Sequence, residues 1–261
     1  MLVDVHCHLE HEWLKPNLDK IIKKCRENQV IAITSGVNPG TNREALEIAK
    51  KYPDVVKVSL GLYPIDALEA EINTGEFPRI LEKFNIDDEL KFIESKKDEI
   101  VAIGEVGVDF HWTQDRKEEQ LKTFEKVIQL AQRINKPLVV HSRKGEKEAV
   151  ELLESFNVKK VVMHCFNGNF KLVKRIEDNG WYLSIPPIII RNLHFQGVVN
   201  LVSINNLLTE TDSPYLAPPP LKINEPCNVI KTIEKIAELK NMNIEEVKKN
   251  IYMNYQNLFL K

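Results

Sequence analysis

Cysteine is scarce in this chain of 261 residues: Cys7, Cys25, Cys165 and Cys227 are its four, and no two share a Cys-x-x-Cys spacing. That excludes a zinc knuckle and a disulfide framework, and a reducing cytoplasm is the expected setting. A charge excess is also missing, since 36 Lys and Arg stand against 38 Asp and Glu for a net charge of -2. Any nucleic-acid binding must therefore come from a local patch or a metal. No apolar run reaches membrane-spanning length, and Asp4 and His6 stand where a signal peptide would carry basic residues and an apolar core, so neither insertion nor export is expected. The chain shows no repeat, low-complexity tract or interdomain linker. It also has no Gly-x-Ser-x-Gly elbow, which leaves Ser142 and Ser213 as hydrogen-bonding groups at strand ends rather than nucleophiles.

What is present is alternation. Short β-branched runs occur at Leu2 to Val5, Val30 to Ser35, Val55 to Leu60, Ile100 to Val106, Pro137 to Val140, Val161 to Met163, Trp181 to Ile185 and Leu207 to Thr209. Helical patterns separate most of them: Leu18 to Glu27, Arg43 to Lys51 with Thr41 and Glu44 as a capping box, Asp88 to Lys97, Lys117 to Ile134, Lys144 to Phe156 and Lys171 to Asn179. Val229 to Leu239 and Ile244 to Tyr252 read as two more. Eight strands alternating with helices predict a parallel sheet closed into an α/β (β/α)8 TIM barrel, one domain over residues 1–261. The irregular stretch Leu62 to Ile86, with Pro64, Gly75 and Pro78, would then be a loop at the catalytic face and a candidate lid.

Barrel enzymes build their sites from the C-terminal ends of the strands. In this chain those ends carry His6 and His8, Glu105, His141, His164 and Asp212. Such a set of metal-competent side chains at corresponding strand ends is the signature of a metal site. Four imidazoles and two carboxylates exceed the needs of one tetrahedral ion, and Glu105 has two oxygens with which to bridge a pair. Two divalent cations would leave a net positive centre that acidifies water and attracts phosphoryl oxygen, with Asp212 placed to take the water's proton. An imidazole-rich shell suits Zn²⁺ or Mn²⁺ better than Mg²⁺.

The motifs Asp4-Val5-His6-Cys7-His8, Gly104-Glu105-Val106-Gly107-Val108-Asp109, His141-Ser142-Arg143, His164-Cys165-Phe166, Glu210-Thr211-Asp212-Ser213-Pro214-Tyr215 and Asn254 to Phe259 together resemble the TatD-like metal-dependent hydrolases, the TatD-type deoxyribonucleases. The resemblance implies that His6, His8, Glu105, His141, His164 and Asp212 ligate two metal ions, with Glu105 bridging. It also implies hydrolysis of DNA phosphodiester bonds from an end. One segment departs from the pattern: where relatives commonly have Gly-x-His-Pro, this chain has Gly61-Leu62-Tyr63-Pro64. A tyrosine there can donate one hydrogen bond or stack on a base, but it is no second imidazole.

Candidate substrate contacts are Tyr63, His111 with Trp112, Arg143, and the polar loop of Lys222 and Asn224. Lys144, Lys171 and Lys174 read as solvated helix starts, and His11 and His194 as surface groups. Cys7 and Cys165 adjoin ligands, but alternation turns them away from the mouth and into packing. Rival readings keep the metal centre and change the bond to a small phosphoester, an ester such as a D-aminoacyl-tRNA, or a cyclic amide. A PHP-type phosphoesterase also begins with His-x-His but ends in Asp-x-His, whereas Asp212 precedes Ser213-Pro214. A non-catalytic metal-binding or scaffold protein is the reading from another class.

Overall fold

The structure is a computed structural model that describes residues 1–68 and 83–261. Its strands are β1 (Leu2–Cys7), β2 (Val30–Ser35), β3 (Val56–Leu60), β4 (Ala102–Asp109), β5 (Leu138–Arg143), β6 (Val161–His164), β7 (Tyr182–Ile185) and β8 (Leu207–Thr209). They form one sheet in the order β1 to β8, and every neighbouring pair is parallel. The helices are α1 (Leu18–Glu27), α2 (Pro39–Lys51), α3 (Ile86–Ser95), α4 (Lys117–Arg133), α5 (Glu146–Ser155), α6 (Phe170–Asp178), α7 (Leu193–Leu201), α8 (Val229–Lys240) and α9 (Ile244–Phe259). This is the expected barrel, and no helix among the described residues is long and apolar enough to cross a membrane. Most of the candidate lid, residues 69–82, lies outside the described residues.

The barrel closes between β8 and β1 without a regular ladder. The Thr209 hydroxyl donates to the Val3 carbonyl at 2.5 Å, and the Thr211 N–H to Asp4 Oδ1 at 2.8 Å. Nearer the mouth, the Asp212 N–H reaches the His6 carbonyl at 2.9 Å and the His8 N–H the Ser213 carbonyl at 2.8 Å. Asp4 is fully buried, and burial pushes its carboxyl well above the usual range against the pull of Thr211.

Two apolar layers hold the fold. One lies between the strands and the helices around them; the other fills the barrel with Val3, Val5, Ile33, Ala102, Val139, Val162 and Leu208. Tyr255, Leu258 and Phe259 of α9 cap that interior from below. The Asn254 amide fixes them by donating to the carbonyls of Ile204 (2.7 Å) and Leu207 (2.8 Å). These contacts give the terminal Asn254 to Phe259 motif its physical meaning.

Several elements differ from the reading of the sequence. Helix α2 starts earlier, because Asn38 rather than Thr41 is its N-cap and shares a capping box with Thr41. Helix α9 continues to Phe259. Helix α7 was not expected: Gly197 sits in its middle and Leu193 at its start is 79% exposed, so neither propensity nor periodicity announces it. Gly197 lets the exposed Phe170 ring pack close, since a Cβ there would lie 2.5 Å from the ring's far end.

Candidate metal centre

Plain alternation carries three of the candidate ligands to the barrel mouth. Val139, Val162 and Leu208 face the interior, so His141 and His164 two residues on, and Asp212 four residues on, continue the same face. Strands β1 and β4 need a further device. From Asp4 to Cys7 three steps of β1 run against two of β2, from Ala32 to Thr34. From Ile103 to Val106 three steps of β4 likewise run against two of β5, from Leu138 to Val140. Each bulge inserts one residue and reverses which face follows. Val3 and Val5 thus point inward together with His6 and His8, while Cys7 turns outward, its thiol 3.3 Å from the Ile33 carbonyl. Beside the second bulge only glycine fits at 107: its φ is +132° and a Cβ would lie 2.0 Å from the His141 carbonyl oxygen.

The six side chains meet. Glu105 Oε2 lies 3.5 Å from His6 Nε2 and 3.6 Å from His8 Nε2. Its other oxygen, Oε1, lies 3.0 Å from His141 Nδ1 and 3.4 Å from His164 Nε2. Asp212 Oδ1 completes the His6 and His8 side at 3.6 and 3.4 Å. Ligand atoms of His6, His8 and Glu105 lie within 4.8 Å of one another, as do those of Glu105, His141 and His164, and those of His6, His164 and Asp212. Asp212 reaches this place from a left-handed backbone, φ +52°, which aspartate tolerates better than most residues.

A ring of outer groups fixes which nitrogen each imidazole turns inward. His8 Nδ1 is 2.9 Å from the Ser35 carbonyl and 3.3 Å from Glu10. His164 Nδ1 is 3.3 Å from Glu210, which also accepts from Ser184 at 2.6 Å. His141 Nε2 faces Asp109 at 3.2 Å, and His6 Nδ1 faces the Ser35 hydroxyl at 3.0 Å. Nitrogens that donate outward leave a lone pair aimed at the centre, the arrangement that metal-ligating histidines use. Of these outer groups, Asp109 and Glu210 stand inside motifs quoted from the sequence but without a role, and Glu10 and Ser35 escaped the sequence reading, since nearness to a motif is a signal that acidic residues and serines have everywhere.

Electrostatics point the same way. Burial would raise Glu105, yet hydrogen bonds from His141 and His164 and the nearby His6 ring hold it well below the usual carboxylate range. Asp212 is also lowered, burial being outweighed by His8 and the neighbouring imidazoles. Burial works against protonation of His8, His141 and His164, but Asp212 with Glu10, Asp109 with Glu105, and Glu210 with Glu105 raise them all. His6 alone is lowered, by burial and then by His164, and its buried Nε2 has no hydrogen-bond partner. A lone pair stranded among carboxylates costs free energy unless a cation takes it up, so the donor set fits metal ions.

Above the centre opens a cavity of about 980 Å³. Tyr63, Trp112 and Arg143 line it, the Arg143 guanidinium 5.5 Å from the Trp112 ring centre. His111 is exposed beyond the lining, and Lys222 is an exposed loop residue away from it. Asn224 is buried, its amide committed to the carbonyls of Thr211 (2.8 Å) and Leu216 (3.3 Å), so it shapes the loop behind Asp212 instead of meeting the cavity. Other expectations change as well. Cys165 lines the cavity because a φ of +44° ends the alternation of β6. His11 lines it too, its Nε2 3.0 Å from the Tyr215 hydroxyl in a rim cluster with Trp13. Lys144 also lines it, whereas Lys174 pairs with Glu177 and Asp178. His194 stacks on Phe170 and hydrogen-bonds the Phe166 carbonyl.

Comparison with known proteins gives this arrangement its kin. The chain is 34% identical over 265 residues to the human protein named deoxyribonuclease TATDN3, covering 100% of this chain and 95% of that one. It is 35% identical over 253 residues to MJ1582 of Methanocaldococcus jannaschii, named an uncharacterized metal-dependent hydrolase, covering 97% and 94%. The crystal structure of YjjV, a TatD homologue from Escherichia coli, shares the fold with a TM-score of 0.87 at 21% identity, over 100% of this chain and 98% of that one. The TatD related DNase family profile matches residues 3–260, and with it the chain belongs to the TatD related DNase family.

Proposed function

We propose that the chain is a divalent-metal-dependent deoxyribonuclease, one barrel domain acting in the cytoplasm as an exonuclease on DNA phosphodiester bonds. The single observation that carries this reading is the division of Glu105, one oxygen facing His6 and His8 and the other facing His141 and His164. That division supports a bridging carboxylate and two cations, held by His6, His8, Glu105, His141, His164 and Asp212. Zn²⁺ and Mn²⁺ match the imidazoles and Mg²⁺ matches them less tightly. Such cations, when bound, supply Lewis acidity toward phosphoryl oxygen and lower the pKa of water.

The chain's own groups supply the rest. Asp212 keeps 17% of its side chain open toward solvent, the largest share among the six, and its lowered pKa leaves it ionised to take the proton of the attacking water. Arg143 and Lys144 stand where they would hold phosphates, and Trp112 offers a ring face to a base. The name of the human relative supports DNA as substrate.

The test is hydrolysis of end-labelled single-stranded and duplex DNA by metal-stripped protein resupplied with Mg²⁺, Mn²⁺ or Zn²⁺. Cleavage should return with metal, and Asp212→Asn should lower turnover by about 10²- to 10⁴-fold, the worth of a positioned general base. No cleavage by protein shown to hold cations would move the reading to an ester or cyclic amide.

A further inference from the structure

The Asp109 carboxylate is held from three directions. Oδ1 accepts from the His111 N–H at 2.9 Å, and Oδ2 accepts both from the Tyr63 hydroxyl at 2.5 Å and from His141 Nε2 at 3.2 Å. Its backbone is pinned as well, the N–H donating to Gln120 Oε1 at 2.7 Å and the carbonyl accepting from Gln120 Nε2 at 2.9 Å. Tyr63 is equally fixed. Its N–H donates to the Val37 carbonyl at 2.8 Å, and its ring centre lies 5.0 Å from that of His141.

We propose that Tyr63 is a positioning residue for the metal ligand His141, acting through Asp109; the inference rests on the metal-dependent reading above. The phenol has one proton and gives it to Asp109 Oδ2, so that oxygen is fixed in place. His141 then meets a stationary acceptor on its outer side, keeps its proton on Nε2, and presents Nδ1 inward to the half of the centre made with Glu105 and His164. His6 and His8, which face the other oxygen of Glu105, meet Ser35 and Glu10 on their outer sides instead. Tyrosine at this position thus serves the metal shell where the sequence suggested a substrate donor.

The variant Tyr63→Phe removes the hydroxyl and keeps the ring against His141. The experiment titrates metal-stripped full-length protein with Zn²⁺ by calorimetry and with Co²⁺ by visible absorption. Wild type should take up two ions. Loss of an outer partner typically costs about 10- to 100-fold in affinity, and in Tyr63→Phe that loss should fall on one of the two ions, with a changed Co²⁺ spectrum for that ion alone. Asp109→Asn should weaken the same ion, and adding Tyr63→Phe to it should cost nothing more, the mark of two residues acting as one unit. With metal in excess, DNA hydrolysis by Tyr63→Phe should recover with an unchanged KM.

Two results would overturn the inference alone: wild-type affinity for both ions in Tyr63→Phe together with a raised KM, or additive losses in the double variant. Wild type that takes up no divalent cation would overturn the metal-dependent reading and this inference with it. Should Tyr63→Phe misfold, the Co²⁺ spectrum of Asp109→Asn against wild type decides whether Asp109 governs one ion, and a spectrum unchanged from wild type overturns the proposal.

Discussion

Replacing Glu105 by glutamine removes one negative charge from a carboxylate that faces four imidazole nitrogens at 3.0 to 3.6 Å, and changes little else in volume. A unit charge about 4 Å from another is worth about 4 kcal/mol at an effective dielectric near 20, which is about three orders of magnitude in affinity even for a monovalent cation. The amide also has only one acceptor oxygen, so it serves one half of the centre and points N–H groups at the other. Glu105→Gln should therefore bind at most one divalent ion. Thermal unfolding reads this directly. A ligand at about 100 times its Kd stabilises the fold by about 2.7 kcal/mol per site, so two sites give about 5 kcal/mol. At about 2–4 °C per kcal/mol for a domain of this size, wild type should gain about 10–20 °C on metal addition. Glu105→Gln should gain no more than half of that and lose DNA hydrolysis. A variant that shows the full wild-type shift would refute both the bridging role of Glu105 and the electrostatic argument for it.

Three further outcomes follow from the same geometry. In metal-free protein His8 and His164 are raised well above 6.5, so the stability they contribute is fully present below about pH 6.5 and is lost as pH rises through their folded values. Urea denaturation across a pH series should show that decline without metal and not with it, and metal affinity should fall as acid protonates these ligands. Asp4→Ala strands the Thr211 N–H and hydroxyl at the closing seam, which should cost about 1–3 kcal/mol for each in denaturant melts. Arg143→Ala should raise KM for DNA and flatten its salt dependence by about one phosphate contact while leaving metal titration unchanged.

How much of this was legible in the sequence depends on what each residue needed from its neighbours. His141, His164 and Asp212 follow strands that alternate without interruption, so strand ends alone located them. His6 and His8 stood out as a pair, but the bulge that aims them is a property of pairing with β2 and leaves no pattern in Asp4-Val5-His6-Cys7. Glu10, Asp109 and Glu210 matter through contacts with ligands whose positions only the closed barrel defines. Asn224 shows the converse: a polar residue in a loop invites a ligand, yet its amide is consumed in bridging carbonyls of its own loop. Helix α7 stayed hidden because apolar residues occur all around it.

The closing seam sets a timetable for the centre. Asp4 and Thr211, which seal the barrel beside the proposed metal ligands, are 207 residues apart in sequence. Chains emerge from the ribosome N-terminus first, so His6 and His8 are exposed long before Asp212 exists to complete their half of the site. The hydrogen bonds from Asp212 N–H to the His6 carbonyl and from His8 N–H to the Ser213 carbonyl form in the same event that joins the last strand to the first. A full set of ligands is thus available only to a barrel that has finished folding, and a truncated or half-made chain has no complete centre with which to cut nucleic acid.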